Sequence, residues 1–120
     1  MPTIGEVMST ELVTVAPSSS VAEAATVMAT NKVGAALVMD GDRLAGIFTE
    51  RDILRGLAMH FDAAHDPVSH WMTADPTTLS PGANAHEALD LMMERGFRHV
   101  PVVEGERVVG IVSIRDVTPR

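Results

Sequence analysis

Gly46-Ile47-Phe48-Thr49-Glu50-Arg51-Asp52 comes back 64 residues later as Gly110-Ile111-Val112-Ser113-Ile114-Arg115-Asp116. The correspondence runs without a gap from Met8 to Ile53. Pro17 meets Pro81, Glu23-Ala24 meets Glu87-Ala88, and Met28 meets Met92. Val38 meets Val102, and Gly41 with Arg43 meets Gly105 with Arg107. A repeat of this length is a supersecondary unit that rarely buries its apolar face alone, so the two copies are expected to pack together. Each copy ends in a hydroxyl and a carboxylate at fixed spacing.

Working outward, each copy shows the same order of elements. Leu12-Val13-Thr14-Val15 is a short β-branched run stopped by Pro17. Ser20 and Glu23 have capping-box spacing, and Val21, Ala24, Ala25, Val27 and Met28 follow with helical periodicity, ending at Asn31-Lys32. Ala35 to Met39 and Leu44 to Phe48 are apolar runs around the turn Asp40-Gly41-Asp42, and read as a hairpin. Thr49 opens a helix through about His60, so the pattern is β-α-β-β-α. The second copy repeats it with Thr77-Thr78-Leu79, a helix from Ala85 to Arg95, Val100-Pro101-Val102-Val103, a Glu104-Gly105-Glu106 turn and Val108 to Ser113. Its last helix is cut short by Pro119. Phe61 to Pro67 reads as a polar loop. Ile4 to Met8 and Val68 to Met72 read as matched helical turns, each leading into its copy.

Composition narrows the class. The 120 residues are 46% hydrophobic and 21% charged, as in a globular protein, and the scarcity of aromatics makes the core aliphatic. The chain has no cysteine, which excludes disulfides, thiolate metal sites and cysteine nucleophiles. A net charge of −7 disfavours a general nucleic-acid or anionic-membrane surface, though not a local anion pocket. No run approaches the roughly 18 apolar residues of a membrane span, and the N-terminus lacks the features of a signal peptide. A soluble cytoplasmic protein is expected.

The repeat, the element order, the Val100 to Val103 strand and the doubled glycine-hydrophobic-hydrophobic-Ser/Thr-x-x-Asp motif resemble the cystathionine-β-synthase (CBS) domain family, arranged as a tandem pair, or Bateman module. The resemblance implies an α+β fold in which two β-α-β-β-α repeats pack with pseudo-twofold symmetry into one compact module. It divides the chain into a first CBS domain at 7–60, a linker at 61–70 and a second CBS domain at 71–120. It also implies two clefts that in many members bind AMP, ADP, ATP, NAD(H) or S-adenosylmethionine.

The motif residues suit such ligands physically. Gly46 and Gly110 let a backbone approach where a side chain would collide. Asp52 and Asp116 lie on a first helical turn, where a carboxylate can accept both hydrogen bonds of a ribose diol, with the Thr49 or Ser113 hydroxyl beside it. A helix N-terminus favours phosphate, and Arg51 and Arg115 add charge at the rim. The same spacing is also that of a capping box, which needs no ligand; the two roles are compatible for the hydroxyl. By the family's composite pattern, Thr49 and Asp52 would face Thr78, Leu79, Arg98 and His99, the last two next to Pro101. Ser113 and Asp116 would face Thr14, Val15, Ala35 and Ala36. The basic pair makes the first site the tighter one for a phosphorylated adenosine. Arg98 also reads as a snorkelling surface charge, and His99 as a structural imidazole.

The implied function is a stand-alone regulatory module, dimeric through its helices, that passes a conformational change to a partner protein. A ligand-free structural dimerisation module is the alternative. No nucleophile-base-orienter set, metal cluster or P-loop points to an enzyme. His60, His65 and His70 recur every five residues, a spacing that places them on one face of neither helix nor strand, and read as a solvated linker. The methionines mostly fall at apolar positions and read as adaptable packing rather than a partner groove.

Overall fold

The computed structural model describes residues 2–118. The elements run α1 (Ile4–Val7), β1 (Thr14–Val15), α2 (Val21–Asn31), β2 (Ala35–Asp40), β3 (Arg43–Thr49), α3 (Glu50–Met59), β4 (Thr73–Ala74), α4 (Ala85–Arg95), β5 (His99–Glu104), β6 (Arg107–Ser113) and α5 (Ile114–Val117). Two single 3-10 turns, Ala63–His65 and Val68–His70, lie between α3 and β4. The fold is α+β, and the chain divides into two compact units. One is Val13–Pro76; the other joins the residues up to Leu12 to those from Thr77 onward.

In the Val13–Pro76 unit the sheet order is β1-β2-β3-β4. β1 runs parallel to β2, and β3 is antiparallel to both β2 and β4. The β2–β3 hairpin turns at Gly41, whose φ of 62° suits glycine. The Ser20–Glu23 capping box starts α2 as expected: the Ser20 hydroxyl accepts from the Glu23 amide at 3.0 Å, and Glu23 accepts from the Ser20 amide at 2.9 Å. The helix stops at Lys32, in the left-handed region. Its buried face of Val21, Ala24 and Met28 packs with Val15, Ala36, Val38, Phe48 and Val68.

The other unit repeats this in the same register. The β5–β6 hairpin is irregular between Val102 and Val103, as β2–β3 is between Val38 and Met39. Single bridges stand where the outer strands would be. Leu79 pairs in parallel with Val102, as Val15 does with Val38, and Ser9 pairs with Ile111, as Thr73 does with Ile47. The core is Ile4, Ala85, Ala88, Met92, Val100, Val102, Val112 and Val117.

The lead-in turns form as expected, and each packs with the opposite copy. Ile4 joins the second copy's core, and Val68 joins the first's. The contacts are backbone-directed: Ile4 donates to the Ala83 carbonyl and Val68 to that of Ser19. Residues 61–67 form the expected loop, with one 3-10 turn at Ala63–His65 and with Phe61, Asp62 and His65 exposed; within it Ala63 is fully buried beside Gly56. Not all methionines are packed. Met28 and Met92 are in the cores, whereas Met59 and Met93 are exposed. Pro119, expected to stop the last helix, lies outside the described residues; α5 spans four residues.

Candidate functional site

The doubled motif sits where each hairpin's second strand becomes a helix. Thr49 closes β3 in extended backbone, and the chain turns directly into α3. The Thr49 amide donates to Asp52 Oδ2 at 2.9 Å, and the Thr49 hydroxyl donates to the same oxygen at 3.1 Å. In return Thr49 Oγ1 accepts from the Asp52 amide at 3.3 Å. Asp52 is only 7% exposed. Ser113 and Asp116 repeat the arrangement ahead of α5, with bonds of 2.8 and 3.1 Å to Asp116 Oδ2. Asp116 is exposed. The capping box is therefore formed in both copies, and each carboxylate has its second oxygen, Oδ1, outside the box.

The two glycines do admit a close backbone, and it is the protein's own. A Cβ on Gly46 would lie 2.6 Å from the Thr73 carbonyl oxygen, and one on Gly110 would lie 2.8 Å from that of Ser9. Their place in the motif is thus to seat the exchanged lead-in segments against β3 and β6.

Within its own unit, each motif hydroxyl lies across the hairpin from a residue the sequence also singled out. Thr49 pairs with Ala35, and Ser113 pairs with His99. The Gly34 carbonyl accepts from the Glu50 amide, and the Arg98 carbonyl accepts from that of Ile114, so these backbones fix both helix starts. Arg51, Arg98 and Arg115 are exposed. Ala35, Ala36 and Pro101 are buried in their hairpins; Val15 belongs to the first core, and Leu79 packs on the second. Thr14 is exposed and Thr78 half-buried.

Sequence reasoning missed Arg55, Trp71 and Asp66. Arg55 Nη2 lies 3.3 Å from Asp52 Oδ1 and donates to the Trp71 carbonyl at 2.9 Å, with the guanidinium 5.5 Å from the indole centroid. The Trp71 indole N–H donates to Asp66 Oδ2 at 3.0 Å, where His60 Nδ1 also bonds at 3.1 Å. The Trp71 and His60 bonds hold the Asp66 carboxyl below its ordinary value, outweighing desolvation. The Asp52–Arg55 spacing is visible in the sequence as an i, i+3 pair; the reach to Trp71, sixteen residues on, is not. Of the linker histidines, His60 pairs with Asp66 and His65 with Asp62.

Residues 4–59 and 68–119 each match the CBS domain. The chain belongs to the CBS-domain family. A CBS-domain containing protein of Agrobacterium tumefaciens, ATU1752, is 34% identical with a TM-score of 0.90, over 96% of this chain and 95% of that one. The CBS domain pair of protein MJ0100 was solved in complex with 5′-methylthioadenosine and S-adenosyl-L-methionine. It is 25% identical with a TM-score of 0.90, over 98% of this chain and 93% of that one. CBSX2, solved in complex with AMP, is 28% identical with a TM-score of 0.81, over 98% and 93%. The repeated unit described above is thus the CBS repeat. No helix among the described residues is long and apolar enough to cross a membrane.

Proposed function

We propose that this chain is a non-enzymatic, cytoplasmic regulatory CBS pair that binds an adenosine-containing ligand and passes a conformational change to a partner protein. The ligand class is AMP, ADP, ATP or NAD(H). One observation carries the reading: the same hydroxyl–carboxylate pair is built twice, at the end of two hairpins in matching register. Two relatives of the same fold were solved with adenosine compounds, which supports that ligand class. Asp52 and Asp116 take the diol. Arg51, next to Asp52 in sequence, and Arg115, next to Asp116, supply charge that prefers a phosphorylated ligand.

A ligand that binds only the folded protein stabilises it, by about 2.7 kcal/mol at 100 times its dissociation constant. A thermal scan against millimolar AMP, ADP, ATP and NAD(H) is expected to raise the midpoint with at least one. No shift with any of them would remove the sensor reading. Native mass spectrometry of the purified protein adds oligomeric state and any co-purified nucleotide in one measurement.

A ligand-free dimerisation module is the second reading. It is favoured by the exposed Leu54, Leu57, Met59 and Phe61 on and just after α3. The same thermal panel separates the two.

A further inference from the structure

Asp52 carries a resident that, among the described residues, Asp116 lacks. A carboxylate offers about four lone-pair sites. On Asp52, Oδ2 accepts from the Thr49 amide and hydroxyl, and Oδ1 accepts from Arg55 Nη2. A diol brings two further donors, so seating both on Asp52 requires one resident to leave. The Thr49 bonds are part of the helix cap and are shorter. The Arg55 contact is the longest, at 3.3 Å, and its side chain is half exposed.

Arg55 also has somewhere to stay when it leaves. Its Nη2 is already bonded to the Trp71 carbonyl, and its guanidinium already lies over the indole. Trp71 is in turn fixed by Asp66 and by close packing on Gly56, where a Cβ would come within 3.3 Å of the ring. In the second copy, Asp116 Oδ2 is bonded as Asp52 Oδ2 is, but no described residue donates to Asp116 Oδ1. Position 119, 64 residues on from Arg55, is proline, which has no side-chain donor.

We propose that Arg55 is a latch on the first copy's site: it occupies the Asp52 oxygen that a ligand's diol takes, and moves fully onto Trp71 when the diol binds. This rests on the reading of the motif as a diol site. Arg55 thereby sets specificity, because a ligand with a single ribose hydroxyl need not displace it. Trp71 is the only tryptophan in the chain, so its emission reports the latch.

The test uses the full chain carrying Asp116→Ala, which leaves the first site alone, and titrates AMP and 2′-deoxy-AMP by calorimetry and tryptophan fluorescence. AMP is expected to change Trp71 emission, and 2′-deoxy-AMP to leave it unchanged. Arg55→Met keeps the alkyl packing on Trp71 and removes the donors. It is expected to bind AMP about two- to five-fold tighter, the range of an exposed ion pair, with no gain for 2′-deoxy-AMP. AMP bound in an Asp52-dependent way, but with no emission change and no gain in Arg55→Met, overturns the latch alone. Equal gains for both nucleotides overturn it too. AMP bound by neither this variant nor the unmodified protein overturns the diol reading and the latch together. The emission comparison needs no Arg55 substitution, so it decides the matter even if Arg55→Met does not fold.

Discussion

At the scale of single residues, Asp52 is both the N3 partner of the Thr49 cap and a candidate ligand group, and the two roles give separable effects. Asp52→Ala removes the N3 side of the Thr49 capping box and is expected to lower the thermal midpoint without ligand. The same substitution is expected to abolish the tighter phase of nucleotide binding in calorimetry, while Asp116→Ala leaves that phase nearly intact. Arg98→Ala should weaken AMP far more than adenosine, since only AMP carries the phosphate that a charge-assisted bond would hold. Tighter binding that survives Asp52→Ala and vanishes with Asp116→Ala would reverse the assignment of the two sites. Asp66 gives a pH test. Its carboxyl is held below the ordinary 3.8 by Trp71 and His60. A depressed folded value means that ionised Asp66 favours the fold. That contribution is fully present above the unfolded value and is lost as pH falls through the lower folded one. Asp66→Asn should therefore flatten the fall in thermal midpoint on the acid side of the ordinary carboxylate range. An unchanged acid limb would show that the Trp71–Asp66–His60 bonds contribute nothing.

At the scale of elements, the exchange of lead-in segments is what makes the two copies depend on each other. Ile4 is fully buried in the second copy's core, and Ser9 bonds to Ile111 of β6 in both directions. Removing residues 2–9 should empty that core position and unpair that edge. Hydrogen exchange is then expected to speed up in β6 and α4 before β2 and β3; faster exchange confined to β2 and β3 would contradict the exchange. Removing a buried isoleucine side chain alone costs about 2–5 kcal/mol, so Ile4→Ala should reproduce the direction. This is also where the sequence stopped being legible. The hairpins, the α2 capping box and the bounds of α4 were readable because turn chemistry, cap spacing and periodicity are local. The exchange was not, because Ile4 and Val68 occupy the same place in the repeat and suit either core. Proximity along the chain then pointed each to its own copy. The site divides the same way. Thr49–Asp52 and Ser113–Asp116 were readable from their spacing, whereas Arg55 and Trp71 meet only once the 3-10 turns fold back over Gly56.

At the scale of the whole molecule, α3 packs Ile53 on the core but leaves large apolar side chains on its outer face. It buries Asp52 and Gly56, yet Leu54 is 71% exposed and Leu57 47%, with Phe61 beyond its end at 93%. Leu54 and Leu57 stand at i and i+3, on one face of α3, and Phe61 follows two residues past the helix end. Scattered exposed leucines need no explanation, but two on one helix face with a bare phenylalanine just beyond its end suit a surface that is covered in use. A second copy of the chain is the proposed cover, because a twofold interface places the same surface on both partners. Light scattering is then expected to return about twice the 12.8 kDa of one chain. Phe61→Glu or Leu54→Glu should bring the mass back toward 12.8 kDa without unfolding, since both side chains are already at the surface. A mass near 12.8 kDa for the unmodified protein, from micromolar to millimolar concentration, would rule out the dimer. A dimer unaffected by either substitution would move the interface off α3.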